Sequence, residues 1–145
     1  MDTNYSKDLT IKAAPAAVYA ALTTTEGCSA WWAPATGSAA DGGELRFTFG
    51  DPTAPLVLRV AADGLATQVD WHVTACQLVP DWVGTTVTFV LVPGEDGTTD
   101  LRFRHVGLTP RLECFDSCRA GWEQFLPSLR DYAESGTGSP IRAAG

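Results

Sequence analysis

The chain has 145 residues, of which 45% are apolar, and its 10 Lys and Arg against 17 Asp and Glu give a formal charge of −7. This composition excludes a disordered or fibrous chain, since globular domains are ~45–50% apolar. It also excludes a membrane span, which needs ~18 consecutive apolar residues. An acidic chain lacks the clustered Lys and Arg that bind nucleic acid, so we expect no nucleic-acid partner and no membrane insertion.

The length predicts one domain over 1–145, with a core at about 6–134 and a loose C-terminal tail over 135–145. The tail is predicted from its Gly and Pro content. The N-terminal residues are polar, and no basic segment followed by an apolar stretch stands there, so we expect no signal peptide. A cytoplasmic location follows from that expectation.

The cysteines support a reduced compartment, because no pair has CxxC spacing and no secretion signal accompanies them. Cys114 and Cys118 would share one face of a helix, and with His72 and His105 they are the one conceivable Cys2His2 set. Buried free cysteine more often acts as a small hydrophobe. We therefore expect no metal and no cofactor. The four cysteines are Cys28, Cys76, Cys114 and Cys118.

In chain order, alternation predicts a short strand over 8–13. Pro15 then suits the first turn of a helix, where its missing N–H costs nothing. Val18, Ala21 and Leu22 form an apolar stripe at helical spacing on this segment. A second short helix is predicted over 26–32.

From Gly42-Gly43 onward the apolar residues recur with period two, which predicts antiparallel strands. Asp63-Gly64 is a hairpin signal between two of them. Arginines on these strands alternate with apolar residues and are expected on a solvated outer face, namely Arg46, Arg59, Arg102 and Arg104. The predicted strands cover 44–49, 56–62, 67–74, 85–92 and 99–106.

After Pro110 the apolar period becomes helical over about twenty residues, and Pro127 should kink this helix. The predicted order is β-α-α-β5-α, an α+β chain with a curved six-stranded antiparallel sheet wrapped around one long C-terminal helix. One helix cannot fill the concave face of a strongly curved sheet. An internal cavity lined by inward-facing aromatic side chains is therefore expected.

This pattern resembles the START-like, or Bet v 1-like (SRPBCC), helix-grip superfamily, and within it the branch of activator of Hsp90 ATPase homologue 1-like proteins. The resemblance implies the helix-grip fold. It does not settle function, because the superfamily includes lipid and hormone binders, aromatase/cyclases, ring-hydroxylase subunits and co-chaperone-like domains. The matching stretches are Ala14–Thr23, Trp31-Trp32, Gly42-Gly43, Gly84–Phe89, Arg104–Leu108 and Gly121–Leu126 followed by Leu129.

A mostly apolar pocket with a few polar groups is typical of a ligand site, although the same side chains could form an ordinary core. Adjacent helical residues point about 100° apart, so at most one of Trp31 and Trp32 should face squarely inward. The candidate ligand-binding residues are Trp31, Trp32, Phe47, Phe49, Trp71, Phe89, Phe103, His105, Trp122 and Phe125.

His105 is the candidate for chemistry, because alternation aims it inward with Leu101 and Phe103. An inward histidine can anchor a ligand carbonyl, act as an acid or base near neutral pH, or simply be a satisfied core residue. His72 is expected to face outward. The sequence contains no nucleophile motif such as GxSxG and no phosphate-binding loop.

Three functions remain open. The first is binding of a small, largely hydrophobic ligand between the sheet and the C-terminal helix. The second is a cyclase, dehydratase or hydrolase that uses His105. The third is a co-chaperone-like interaction domain, for which we expect no Hsp90-type partner, since 145 residues leave no room for a second domain. A homodimer is plausible if Trp82 is exposed at an interface.

Overall fold

The computed structural model describes residues 5–48, 55–62, 67–76, 82–108 and 115–138. It confirms the α+β helix-grip architecture. The helices are α1 (Pro15–Thr23), α2 (Thr25–Trp31) and α3 (Phe115–Ser135). The strands are β1 (Tyr5–Ile11), β2 (Ala35–Gly37), β3 (Glu44–Phe47), β4 (Leu56–Ala62), β5 (Gln68–Cys76), β6 (Thr86–Pro93) and β7 (Thr99–Val106).

The strands form one curved antiparallel sheet in the order β1-β7-β6-β5-β4-β3-β2. The N-terminal strand β1 therefore lies beside the last strand β7, with Tyr5 opposite His105. Along β7 buried and exposed residues alternate without interruption. The predicted outer-face arginines are all exposed, as expected: Arg46, Arg59, Arg102 and Arg104.

The sequence predicted six strands, whereas the described residues form seven. The additional strand is β2, whose three residues pair with β3 from Ala35 opposite Phe47 to Gly37 opposite Leu45. Three residues are too few to show an alternating pattern, so periodicity could not reveal this strand. Strand β1 also begins earlier than predicted, at Tyr5, whose backbone N–H donates to the Leu108 carbonyl at 2.9 Å.

The two short helices close one end of the sheet. Pro15 opens α1, and Val18, Ala21 and Leu22 are its buried residues, as the apolar stripe predicted. The Thr24 side chain caps α2 by accepting a hydrogen bond from the Gly27 N–H at 3.0 Å.

The long helix α3 covers the inner face of the sheet. Trp122, Phe125 and Leu129 on one side of it are buried, which matches the predicted apolar face. Ser128 lies in the same buried face, and its hydroxyl donates to the Trp31 carbonyl at 2.7 Å. This bond joins α3 to the end of α2 across 97 residues of sequence.

Helix α3 continues to Ser135, one residue into the segment predicted as tail, and residues 139–145 of that tail lie outside the described part. Within the described ranges, no helix has the length and apolar character needed to cross a membrane.

The contact between Gly107 and Thr85 holds the end of β7 against the turn before β6. Gly107 has φ +101°, and a Cβ at this position would lie 2.7 Å from Thr85 Cγ2. Gly84 has a similar φ of +89°, but a Cβ there would meet nothing within 4 Å. Both residues need the left-handed conformation, whereas Gly107 also needs the absence of a side chain.

We predict that Gly84→Ala lowers the free energy of unfolding by about 1–2 kcal/mol, the cost of a left-handed alanine. Gly107→Ala should cost at least about 1 kcal/mol more, because its methyl group overlaps Thr85. Urea denaturation of both variants measures the difference. Equal losses in the two variants would show that the Gly107–Thr85 contact is not tight.

Candidate ligand-binding site

The inner face of the sheet carries a continuous group of buried rings, which we call the aromatic cluster. Every ring in it belongs to a side chain that is at most 3% exposed. Strands β3, β5, β6 and β7 contribute one ring each, α3 contributes one, and the end of α2 contributes two. The members are Trp31, Trp32, Phe47, Trp71, Phe89, Phe103 and Trp122.

Both tryptophans at the end of α2 face the interior. Trp31 stacks on Trp71 at 6.2 Å between ring centroids, and its Nε1–H donates to the Ala21 carbonyl at 3.0 Å. Trp32 lies 4.4 Å from Phe47. The prediction that at most one would face squarely inward is wrong, because α2 ends at Trp31 and Trp32 leaves the helical path with φ −117° and ψ −78°.

The rings of the cluster touch one another. Trp32 lies 4.9 Å from Trp122 and 5.7 Å from Trp71, and Trp71 lies 4.8 Å from Phe89. These centroid separations are those of direct aromatic contact, so no further ring fits between the partners. A ligand at this place must lie beside the cluster or move one of its rings. An open cavity between sheet and helix therefore stays a prediction.

Two surface depressions bounded by described residues lie away from these rings. One adjoins Asp8 and Asp100 at the β1–β7 edge, and the other adjoins Asp41 and Asp70 beside β4 and β5. Neither is lined by a member of the aromatic cluster. Their walls are largely acidic or exposed, which does not suit an apolar ligand.

His105 is fully buried, as its inward alternation predicted, and both of its ring nitrogens are hydrogen-bonded. Trp122 Nε1–H, which can only donate, gives its hydrogen bond to Nδ1 at 3.1 Å. The neutral ring must then carry its proton on Nε2, which donates to Thr85 Oγ1 at 2.8 Å. The Thr85 hydroxyl in turn donates a hydrogen bond to the Trp82 carbonyl at 2.6 Å.

This arrangement keeps His105 neutral. Burial lowers its pKa from 6.5 to about 4. A proton added to Nδ1 would also point at the Trp122 N–H and break that bond. A general acid or base needs a titrating nitrogen within reach of substrate, and His105 offers no exposed nitrogen. The geometry therefore argues against His105 as an acid–base catalyst.

Trp82 is 8% exposed and stacks on Trp122 with ring centroids 5.8 Å apart. The sequence interpretation that made Trp82 an exposed interface residue is wrong. The turn of residues 82–85 places this ring over His105, at 4.6 Å between centroids.

One polar group inside the aromatic cluster has no partner. The Trp71 ring is 0% exposed, and its Nε1–H has no hydrogen-bond acceptor within the described part of the chain. The Tyr5 hydroxyl, at the edge of the same interior, is the second such group among the described residues. A buried donor without an acceptor costs about 1–3 kcal/mol. Each of these two atoms is therefore a position where a bound oxygen would restore a hydrogen bond.

The described residues do not assemble a metal site. His72 is exposed on the outer face of β5, whereas His105 lies on the inner face of β7, so the two histidines cannot bind one ion. No group of three or more His, Cys, Asp and Glu comes together in the described ranges. Burial raises the pKa of the Cys28 thiol, which makes this side chain unreactive.

Of the remaining predicted site residues, Phe125 is 6% exposed and belongs to the same core, while Phe49 lies outside the described residues. Sequence reasoning missed Tyr5, Thr85 and Trp82. A signal for Tyr5 existed, because it continues the inward alternation of β1 from Leu9 through Lys7. Thr85 was predicted only as the first residue of a strand and Trp82 only as an interface residue, so neither position indicated a contact with His105.

The comparison with protein families identifies the family. The sequence profile of the family described as "Activator of Hsp90 ATPase homolog 1-like protein" matches residues 12–134. The chain belongs to this family. The matched region includes every described member of the aromatic cluster, but not Tyr5.

Solved structures agree on the fold of this chain. The Aha1 dimer from Colwellia psychrerythraea is 29% identical, with a TM-score of 0.78, and the match covers 94% of this chain and 99% of that one. A comparison with curated proteins finds no match.

Two more distant structures show the fold alone. CalU16 from Micromonospora echinospora is 16% identical with a TM-score of 0.71, and the match covers 95% of this chain and 78% of that one. DynU16, a putative protein in the dynemicin biosynthetic locus, is 20% identical with a TM-score of 0.69. That match covers 92% of this chain and 48% of DynU16.

The buried neutral His105 predicts how the stability of this domain depends on pH. Its pKa is about 4 when folded against 6.5 when unfolded, so the unfolded chain binds the proton first as pH falls. Stability is therefore lost on acidification from 6.5 toward 4. Between pH 7 and pH 5 the loss due to this residue should be about 2 kcal/mol.

Urea unfolding of the wild type and His105→Gln at both pH values measures this contribution. The loss between pH 7 and pH 5 should be smaller in His105→Gln, whereas His72→Gln, at the exposed histidine, should keep it. An identical pH dependence in all three proteins would mean that His105 is not buried as a neutral ring.

Proposed function

We propose that this protein binds a small, largely apolar molecule at the aromatic cluster, between the inner face of the sheet and α3. The observation that carries the proposal is the buried Trp71 Nε1–H, which has no acceptor among the described residues. Aromatic ring faces supply an apolar contact surface, and the free indole N–H supplies one polar anchor of fixed direction. A ligand with a carbonyl or ether oxygen matches both features.

Entry of a ligand depends on the movement of a ring, which we assign to a side chain of α3. The described rings are in contact, so at least one of them must move when a flat molecule binds. Trp122 is the ring that we assign to this movement, since it lies on the helix and contacts Trp32 and Phe103 on either side of the cluster. We expect this movement to be a tilt of the ring that keeps the hydrogen bond from Nε1–H to His105 Nδ1, so that both nitrogens of His105 stay occupied.

The competing functions have less support. The enzymatic alternative required an accessible His105, and this ring is 0% exposed with both nitrogens bonded. The co-chaperone alternative rests on the family description alone. Neither has a structural feature comparable to the unpaired indole donor in the interior.

The proposal predicts that a ketone oxygen adds affinity through Trp71. Para-acetylbiphenyl should bind the wild type about five- to tenfold more tightly than para-ethylbiphenyl, which has nearly the same shape without the oxygen. This ratio should fall to about one in Trp71→Phe. Isothermal titration calorimetry measures both affinities in each protein.

Trp31→Phe is the matched control, because Trp31 is equally buried but its Nε1–H already bonds to Ala21. It should retain the preference for the ketone, even if both probes bind less tightly. The use of a ratio removes the packing defect that either smaller ring introduces. Absence of saturable binding by every probe, or a ketone preference that survives in Trp71→Phe, would contradict the proposal.

A further inference from the structure

The Tyr5 hydroxyl is a second unpaired polar group at the edge of the proposed site. Tyr5 is 8% exposed, and its ring packs edge-on against Phe103 with ring centroids 6.0 Å apart. Its Oη has no hydrogen-bond partner among the residues that the structure describes. A buried tyrosine hydroxyl usually finds a partner, so this one marks a position at which a ligand oxygen would gain a hydrogen bond.

Two charged side chains of α3 act on Tyr5. Burial raises the pKa of Tyr5, the Glu123 carboxylate raises it further, and the Arg119 guanidinium lowers it, so both charges lie within electrostatic reach. Arg119 is itself 3.4 Å from Glu123 and 4.0 Å from Asp116. The two charges that act on Tyr5, the Glu123 carboxylate and the Arg119 guanidinium, are opposite in sign and are paired with each other.

This charge balance restricts what Tyr5 can recognise. A ligand carboxylate would lose its hydration on burial, and Arg119, the cation that acts on Tyr5, is already paired with Glu123. A ligand ammonium would lose hydration as well, and the nearby Glu123 is already paired with Arg119. A neutral oxygen avoids both costs, and the Tyr5 hydroxyl can either donate to it or accept from it.

Tyr5 and Trp71 lie in one row across the sheet. Tyr5 is opposite His105, His105 is opposite Val87, and Val87 is opposite Trp71. Three strand spacings separate the two ends of the row, about 14 Å along the sheet. His105 between them already uses both ring nitrogens. Among the described residues, the row thus has an unpaired polar atom at each end and a fully hydrogen-bonded imidazole between them.

We propose that the ligand of this site is an uncharged, elongated aromatic molecule with two oxygen functions. One oxygen accepts from Trp71 Nε1–H, and the other, a hydroxyl or carbonyl, bonds to Tyr5 Oη. Tyr5 is then the residue that selects for the second oxygen. This inference rests on the proposed function.

The test uses four biphenyls that share the para-acetyl group recognised by Trp71. They carry hydrogen, hydroxyl, carboxylate or aminomethyl at the opposite para position. In the wild type, calorimetry should give the hydroxyl compound about five- to tenfold higher affinity than the hydrogen compound. The carboxylate and aminomethyl compounds should bind more weakly than the hydroxyl compound.

Tyr5→Phe removes only the oxygen, so the hydroxyl preference should fall to about one. Tyr132→Phe, at a half-buried tyrosine on α3, is the control and should keep the preference. In the free protein Tyr5→Phe should leave thermal stability unchanged or higher, since it removes an unpaired polar group. A purely structural hydroxyl would instead give a less stable variant with the preference intact.

The outcomes separate the two proposals. If no biphenyl binds saturably, the proposed function fails and this inference fails with it. If the acetyl compounds bind but hydroxyl gives no advantage, or the advantage survives in Tyr5→Phe, the second oxygen contact is refuted while the Trp71 anchor stands. Tighter binding of the carboxylate than of the hydroxyl compound would overturn the claim that the ligand is uncharged.

Discussion

The hydrogen bond from Trp122 Nε1–H to His105 Nδ1 joins the long helix to the sheet inside an otherwise apolar interior. It fixes the tautomer of the imidazole, and through Thr85 it fixes the turn that carries Trp82. In this series of hydrogen bonds, from Trp122 through His105 and Thr85 to the Trp82 carbonyl, each donor has an acceptor. These polar atoms are therefore buried with their hydrogen bonds satisfied. The position of α3 over the rings follows from this link together with the Ser128–Trp31 bond.

In contrast to this series of paired groups, the polar atoms of Trp71 and Tyr5 have no hydrogen-bond partner among the described residues. The hydrogen bonds of His105 show that this interior can provide partners for buried polar groups. Where the described residues provide no partner, burial of the unpaired polar atom costs about 1–3 kcal/mol at each position. A ligand with oxygens at matching places relieves this cost, which links the stability of the free protein to its binding selectivity.

Much of the fold could be predicted from the sequence, because its elements are long enough for their period to show. The alternation of β7 placed Phe103 and His105 inward, and helical spacing placed Trp122 on the buried face of α3. Strand β2 and the inward turn of Trp32 could not be predicted, since each depends on a few residues at the end of an element. The family resemblance is confirmed over 12–134.

The chemistry of the site depended on contacts that no local pattern contains. Alternation aimed His105 inward but could not tell a catalytic ring from a fully bonded one, because Thr85 and Trp122 are 20 and 17 residues away along the chain. For the same reason, the sequence predicted Trp71 only as an apolar residue that lines the ligand-binding site. Its unpaired N–H appears only when the acceptors of the described residues are placed around it.

The most direct test is to measure whether the Trp71 indole N–H is hydrogen-bonded in the free protein and after a probe has bound. Two-dimensional NMR spectra, with the indole signals of the five tryptophans assigned by single Trp→Phe variants, report whether each N–H is hydrogen-bonded. Addition of para-acetylbiphenyl should move the Trp71 proton downfield, to the position of a bonded indole, while the Trp31 signal stays in place. If the Trp71 signal is already that of a bonded indole in the free protein, or does not change when the probe saturates, the interior is an ordinary core and the site is not there.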